Sequence, residues 1–444
     1  MSFIFSVFAV FSILELGILT QFYLGKVKNF NFSFPTLFAL GLGTLCIVFY
    51  ISSLLQIHLT RVLVMLVALT FSLPFFLDIR LKSQTLKNID LYIRALKQSP
   101  KIFLIIFTTF LIILSMLTFS KAVWGYDAYE RWLAKGRTFW VDGGITKENA
   151  KIYNPADDHN LWPFAVSWFY YINGNSNEIW VRIIPFVAFL SIIFEFKKHL
   201  NIANWDIKKY SWLLVLMFTP FLWQTVSQEN YSGNADIFVS LFFLLSTGAI
   251  IRKNFLFSAL FLGFAAFTKN DALPGLIAFI LLLPIFTWKL TAESDLKLVF
   301  TFALSFLLAN LFLKYYYQLD SRYLNQDFYK IISQKPFFKY NLYTAHAFRE
   351  QFRQVQIWGL GWWITGLFYV TKIKALITNR LLLFATVIMV IQILSYSFVF
   401  YISKEDQASQ IATSISRVLL QVYPSFLLIV YYLVNKENRQ KTNG

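Results

Sequence analysis

The sequence predicts an all-α polytopic membrane protein. Three observations carry that reading. Hydrophobic residues make up 57% of the chain and charged residues only 14%, where a soluble domain is near half apolar and a quarter charged. Mean hydropathy is +0.56. Apolar runs of about 18–22 residues, the length that crosses a bilayer as a helix, recur along nearly the whole chain.

In order, the runs are roughly 3–24, 34–55, 59–77, 102–120, 178–196, 211–227, 236–251, 254–268, 271–288, 298–314, 357–371, 381–401 and 416–434, which is about thirteen spans. The first lacks the basic stretch that opens a cleavable signal, so it reads as a membrane helix. Several runs are short enough to form tight hairpins or to enter without crossing. We see no internal repeat and no Pro/Gly linker. Residues 1–100 form an N-terminal membrane extension with a basic loop, 101–434 the main membrane domain, and 435–444 a basic tail.

The net charge is +17. In a soluble protein this would suggest nucleic acid. Here the cations are spread through short loops, as the positive-inside rule requires, so no nucleic-acid partner is expected. The 78–101 loop carries Arg80, Lys82, Lys87, Arg94, Lys97 and Lys101. Lys197, Lys198, Lys208 and Lys209 follow, then Arg252 and Lys253, then Lys372, Lys374 and Arg380, then Lys436, Arg439 and Lys441. With thirteen spans these fall on one side, the cytoplasm. The long connections 121–177 and 315–356 fall outside. Both mix charge with aromatics (Trp124, Tyr126 and Trp132 in one; Tyr323, Phe337 and Phe338 in the other), which suits short helices in the headgroup region.

Charged residues near membrane helix ends usually line a cavity and have a function. Asp127 with Glu130, Glu229 with Asp236, Lys269 with Asp271, and Asp406 with Arg417 all fall on the expected outer side. Asp127 follows an apolar helix within Trp124-Gly125-Tyr126-Asp127-Ala128-Tyr129-Glu130-Arg131-Trp132. A carboxylate there can serve as a general base or pair with Arg131 in a solvated loop. Asp157-Asp158-His159-Asn160 precedes an apolar segment. It reads as a polar helix cap rather than a metal site, because adjacent residues do not readily converge on one ion. Lys269 in the turn Thr268-Lys269-Asn270-Asp271 runs against the charge bias; it answers either a phosphate or Asp271. Arg417 follows Thr413-Ser414-Ile415-Ser416 and opens the last helix. Its planar fork suits phosphate oxygens, or it snorkels to headgroups. Cys46 is the only cysteine, which rules out a disulfide framework.

The ordered set of motifs resembles the C-fold (GT-C) integral-membrane glycosyltransferases, which include the bacterial protein O-mannosyltransferases and the lipid A aminoarabinose transferases. The resemblance rests on Tyr126-Asp127 with its aromatic helix, Gly174-Asn175-Ser176-Asn177-Glu178, the turn Thr268 to Ala272, and Thr413 to Arg417. It covers about residues 100–434. The chain has Ala128 where many relatives place a second acid beside the first, and Asp271-Ala272 where they have Glu-Gly.

The resemblance implies a sugar transferred with inversion from a polyprenyl-phosphate donor to an acceptor on the periplasmic face of a bacterial inner membrane. It implies Asp127 as base and Glu130 as a secondary acid. Lys269 and Arg417 would bind phosphate. Glu229, Asp236, Asp271 and His159 would lie at the substrate, binding sugar hydroxyls or orienting those cations. No cofactor is expected, and a divalent cation is left open. The acceptor could be a glycan, a lipid or a protein. An O-antigen polymerase or ligase is the alternative, although its large loop usually lies late in the chain. A transporter or flippase would place charge at mid-membrane in paired halves; Glu15 is the main mid-span charge and no paired halves are visible.

Reporter fusions check the predicted topology. Fusions after Lys87, Lys208 and Lys374 should report cytoplasm, and fusions near Lys147 and Lys335 the outer side. A cytoplasmic signal within 121–177 would overturn the assignment of the site to the outer face.

Overall fold

The computed structural model describes residues 2–25, 33–77, 99–151, 159–200, 207–287, 293–319, 337–402 and 407–441. The basic residues between 78 and 98, Asp157, Asp158, Tyr323 and Asp406 lie outside the described residues.

The described chain is helical and contains no strand. In order the helices are α1 (Ser2–Gly25), α2 (Phe34–Leu54), α3 (Arg61–Leu77), α4 (Lys101–Phe119), a π-helix (Asp127–Leu133) running into α5 (Ala134–Val141), α6 (Leu161–Asn173) and α7 (Ile183–Leu200). Then come α8 (Ile207–Met217), α9 (Pro220–Ser227), α10 (Asp236–Ile251), α11 (Phe255–Thr268), α12 (Leu273–Thr287) and α13 (Glu293–Tyr316). The last are α14 (Phe337–Arg353), α15 (Val355–Trp358), α16 (Gly361–Thr371), α17 (Ile373–Thr378), α18 (Arg380–Ile402) and α19 (Gln407–Lys441).

Seven stretches among the described residues are long and apolar enough to cross a membrane: Phe3–Leu24, Phe34–Leu54, Lys101–Phe119, Asn270–Thr287, Glu293–Tyr316, Arg380–Tyr401 and Ala408–Asn435. Their surroundings differ. Only Phe103, Phe107, Leu114 and Thr118 of α4 are buried, while Ile102, Ile105, Ile112, Ile113 and Met116 are exposed. So large an apolar patch is rare on a soluble monomer, and hydrocarbon is a solvent that accepts it.

Three expected spans differ in the structure. The run 211–227 is two helices, α8 and α9, broken at Phe218-Thr219. Pro220 has no N–H to give and disfavours helical backbone at Thr219. The run 357–371 is broken at Gly359, where φ is +56°. The last helix begins at Gln407 rather than near residue 416. Arg417 therefore lies nearly three turns inside α19 and does not open it.

The chain forms two compact units. The first comprises Met1–Asn154, Asn160–Leu213 and Trp223–Ala235, and the second Pro155–His159, Leu214–Leu222 and Asp236–Gly444. In the first unit α1, α2 and α3 pack with α6, so the expected N-terminal extension shares its core with the segment around Asp127. The α1–α2 contact is the most extensive helix pairing among the described residues. It rests on two glycines that face each other's partner backbone: Gly17 lies against the Leu37 carbonyl, and Gly41 against that of Ile13. Small residues let membrane helices approach closely enough for dispersion to hold them. Polar side chains then bridge the faces, with the buried Trp168 Nε1 donating to Ser12 Oγ at 3.0 Å and the half-buried Thr20 and Thr44 hydroxyls 2.9 Å apart.

In the second unit α10 and α11 form an antiparallel hairpin closed by Arg252-Lys253-Asn254, where Asn254 accepts from the Phe257 N–H at 3.4 Å. Every residue from Asp236 to Ile250 is buried. Helix α19 packs along α10, and 83% of its most apolar stretch is buried. A hairpin returns the end of α11 to the start of α10, and this sets Lys269 beside Asp236.

A Cβ at residue 41 would overlap the Ile13 backbone. Gly41→Ala should destabilise the detergent-solubilised protein by about 1–3 kcal/mol, as overpacking does. Gly366→Ala, within a helix and with open space around it, should leave the unfolding midpoint unchanged or slightly raised, since Ala favours the helix over Gly. Thermal unfolding followed by size-exclusion chromatography reads both.

Candidate functional site

Helix α11 ends at Thr268, whose hydroxyl folds back onto the Phe264 carbonyl at 2.8 Å. Lys269 is extended, at φ −153° and ψ 137°. A single 3-10 turn, Asn270–Ala272, leads into α12, where Pro274 takes a position near the helix start that needs no N–H. This backbone turns the Lys269 side chain inward to 5% residue exposure.

Asp236, the first residue of α10, is 1% exposed. Its Oδ1 accepts from Lys269 Nζ at 3.0 Å and from Gln421 Nε2 at 2.7 Å. Its Oδ2 accepts from Arg417 Nε at 2.8 Å. Arg417 and Gln421 stand four residues apart on α19 and so share a face. One turn further along, Ser240 Oγ donates to the Leu420 carbonyl at 3.1 Å, fixing the register of the two helices. Lys269 also meets Asp271 Oδ2 at 2.8 Å, the local pair that the turn sequence allowed.

Two residues of α18 complete the network. Tyr396 Oη donates to Gln421 Oε1 at 2.9 Å. Gln392 accepts from the Gly275 N–H at 2.9 Å and donates to the Asp271 carbonyl. Gln392, Tyr396 and Gln421 were not singled out in the sequence. Their signal is a polar residue inside an apolar run, and the i, i+4 spacing of Gln421 from Arg417. The cluster holds two cations and two carboxylates. With three bonds taken up, Asp236 is an anchor for cations and not a free base.

His159 is 1% exposed and lies edge-on to Phe267, ring centres 5.4 Å apart, two residues before Lys269. Asn160 is the N-cap of α6 and forms no side-chain cap bond; its amide reaches Tyr50 Oη at 3.4 Å. Among the described residues no group of His, Cys, Asp and Glu could hold a metal.

Asp127 and Glu130 belong to the first unit, on the π-helix, with Asp127 half-buried and Glu130 exposed. π-Helical turns are rare and concentrate at functional sites. The face opposite Glu130 is buried through Ala128, Trp132 and Leu133. Glu178, of the Gly-Asn-Ser-Asn-Glu turn, pairs with Arg137 of α5.

Glu229 does not join Asp236. Its carboxylate bonds Lys121 Nζ at 2.7 Å and Trp124 Nε1, both in the segment that leads to Asp127. The Lys121 bond, opposed by partial burial and supported by Trp124, holds this carboxyl below its ordinary range. Arg182, also not singled out from sequence, is fully buried. It donates to the carbonyls of Lys121 at 2.5 Å, Val226 at 3.0 Å and Ser227 at 2.7 Å.

No protein-family model, curated protein or solved structure matches this chain.

Asp236→Asn removes the charge that Lys269 and Arg417 share. Breaking a buried ion pair on one side costs about 3–5 kcal/mol, and a loss of that size is expected in thermal stability. Asp236→Asn with Lys269→Met should be less destabilised than the sum of the single variants, since both act on one network. Additive losses would deny the coupling.

Proposed function

We propose that the chain is a membrane glycosyltransferase that passes a sugar from a polyprenyl-phosphate donor to an acceptor at the outer membrane boundary. The observation that carries this reading is the pairing of Lys269 and Arg417 on the single carboxylate of Asp236. Two cations far apart in sequence are held rigidly at one end of a buried helix hairpin. A lipid phosphate leaving group needs fixed positive charge where its own negative charge develops. The prenyl tail keeps that phosphate at membrane depth, where helix ends lie.

In the proposed reaction Asp127 takes the proton from the acceptor hydroxyl. The acceptor oxygen attacks the anomeric carbon from the face opposite the phosphate. The bond from that carbon to the phosphate oxygen breaks, its electron pair stays on the phosphate, and the configuration inverts. Lys269 and Arg417 stabilise the departing polyprenyl phosphate. Lys269 Nζ has three N–H donors, and two meet Asp236 and Asp271. The two carboxylates orient the cations in advance of substrate, so no reorganisation is required at the moment of reaction. Glu130, exposed on the same π-helix, is the secondary acid that helps position the acceptor. The resemblance of the ordered motifs supports the donor class; the sugar and the acceptor follow from neither.

The test is release of free polyprenyl phosphate from a panel of short-chain polyprenyl-phosphate hexoses, pentoses and aminopentoses, with the protein in bacterial membrane lipid. Asp127→Asn keeps size and polarity but removes basicity, and turnover should fall by about 10²-fold or more with expression unchanged. Full turnover in this variant would remove Asp127 from the role. Movement of intact donor across the membrane without release of the phosphate would favour a flippase.

A further inference from the structure

The residues between the end of α4 at Phe119 and the π-helix at Asp127 make no helix of their own. Something else must fix the direction in which Asp127 projects. The end of α9 and the turn that follows, residues 226–233, meet this segment and the start of the π-helix at five points.

Arg182 is the deepest. It is fully buried, and its guanidinium joins the Lys121 carbonyl to the last two carbonyls of α9, those of Val226 and Ser227. Carbonyls at a helix end have no partner within the helix, and a cation suits that end of the helix dipole. Next is the Glu229 side chain, which accepts from Lys121 and from the Trp124 indole. The Glu229 carbonyl also accepts from the Gly125 N–H at 3.3 Å. Gly125 itself lies directly on the Asn230 backbone, with no room for a Cβ. The last contact comes from the π-helix side, where Ala128 sits over Gly233, whose own carbonyl accepts from the buried Trp162 indole at 2.6 Å. The Gly125 carbonyl then accepts the Tyr129 N–H at 2.8 Å, starting the helical turn that carries Asp127.

We propose that Arg182 and Glu229 are positioning residues: they clamp the 121–125 segment onto the 226–233 turn and thereby fix where Asp127 points. This rests on the reading of Asp127 as the base, and it gives Glu229 a role other than binding sugar. The Lys121–Glu229 pair alone would contribute little, because its Lys side chain is 66% exposed and such pairs are weak. The clamp draws its hold from the buried Arg182 and the glycine contact, to which the Glu229 side chain adds its two exposed bonds to Lys121 and Trp124. A base displaced by about 1 Å can cost 10²-fold in rate, which is why a clamp remote from the reacting atoms matters.

Arg182 variants risk misfolding, so Glu229 carries the test. Glu229→Leu loses both side-chain acceptors, and Glu229→Gln keeps one. With the full chain in nanodiscs, hydrogen exchange of the 121–133 amides should rise about fivefold or more in Glu229→Leu and less in Glu229→Gln, as local opening becomes easier. Exchange in 236–268 should not change. In the polyprenyl-phosphate release assay Glu229→Leu should lower kcat about tenfold with KM within about twofold, and Glu229→Gln should recover part of the loss. Unchanged exchange at 121–133 in Glu229→Leu overturns the clamp whatever the activity. Faster exchange with unchanged kcat, where Asp127→Asn is inactive, overturns the positioning role. If the wild type releases no polyprenyl phosphate from any donor, the functional reading fails, and the exchange arm alone still decides the clamp.

Discussion

A carboxylate removed from water cannot keep its charge alone, and the second unit is organised around that constraint at Asp236. Burying an isolated carboxylate is far costlier than any single packing contact. Lys269, Arg417 and Gln421 provide the compensation, so the start of α10, the end of α11 and the middle of α19 are held at one place. Tyr396 and Gln392 of α18 extend the same bonding to the turn that begins α12. Ionic networks of this kind are weak evidence for net stability. They do specify register, because a helix shifted by one residue would leave a buried charge unmatched.

The first unit meets the same constraint with neutral acceptors. Arg182 is fully buried, yet its guanidinium faces main-chain carbonyls. Helix ends supply those carbonyls, so a break in secondary structure and a buried cation satisfy each other. The glycine contacts at Gly17 and Gly41 serve a second requirement. Between apolar helices in an apolar solvent, attraction comes from close packing, and packing this close requires that a side chain be absent.

The two units are organised differently. The Asp236 cluster is a set of charges that ties the start of α10, the turn after α11 and α19 together. The Asp127 segment is irregular backbone, a π-helix after a loop, held by contacts at its base. Irregular backbone gives a side chain a direction that a regular helix would not, and neighbouring structure must then hold it there.

The sequence by itself determined the all-helical class, since apolar runs of spanning length admit few other structures. The turn at Thr268 to Asp271 between two apolar runs was legible as well, but the sequence left the partner of Lys269 open between a phosphate and its neighbour Asp271, and the structure shows the Asp271 pair. Of the candidate residues, Asp127, Asp236, Lys269 and Arg417 were legible as charges that the composition does not otherwise explain. Tertiary structure alone decided their partners. Asp236 meets Arg417 across 181 positions of sequence, and Glu229, only seven residues before Asp236, turns instead to Lys121 and Trp124. Sequence spacing reports which residues share a helix face. It does not report which helices pack, and a charge near a helix end has several possible partners until packing removes all but one. The helix breaks at Thr219 and Gly359 were hidden for a related reason: hydropathy averages over a window, while a proline or a left-handed residue acts at one position; the early start of α19 was hidden because its first turns, Gln407 to Ser414, are too polar to read as an apolar run.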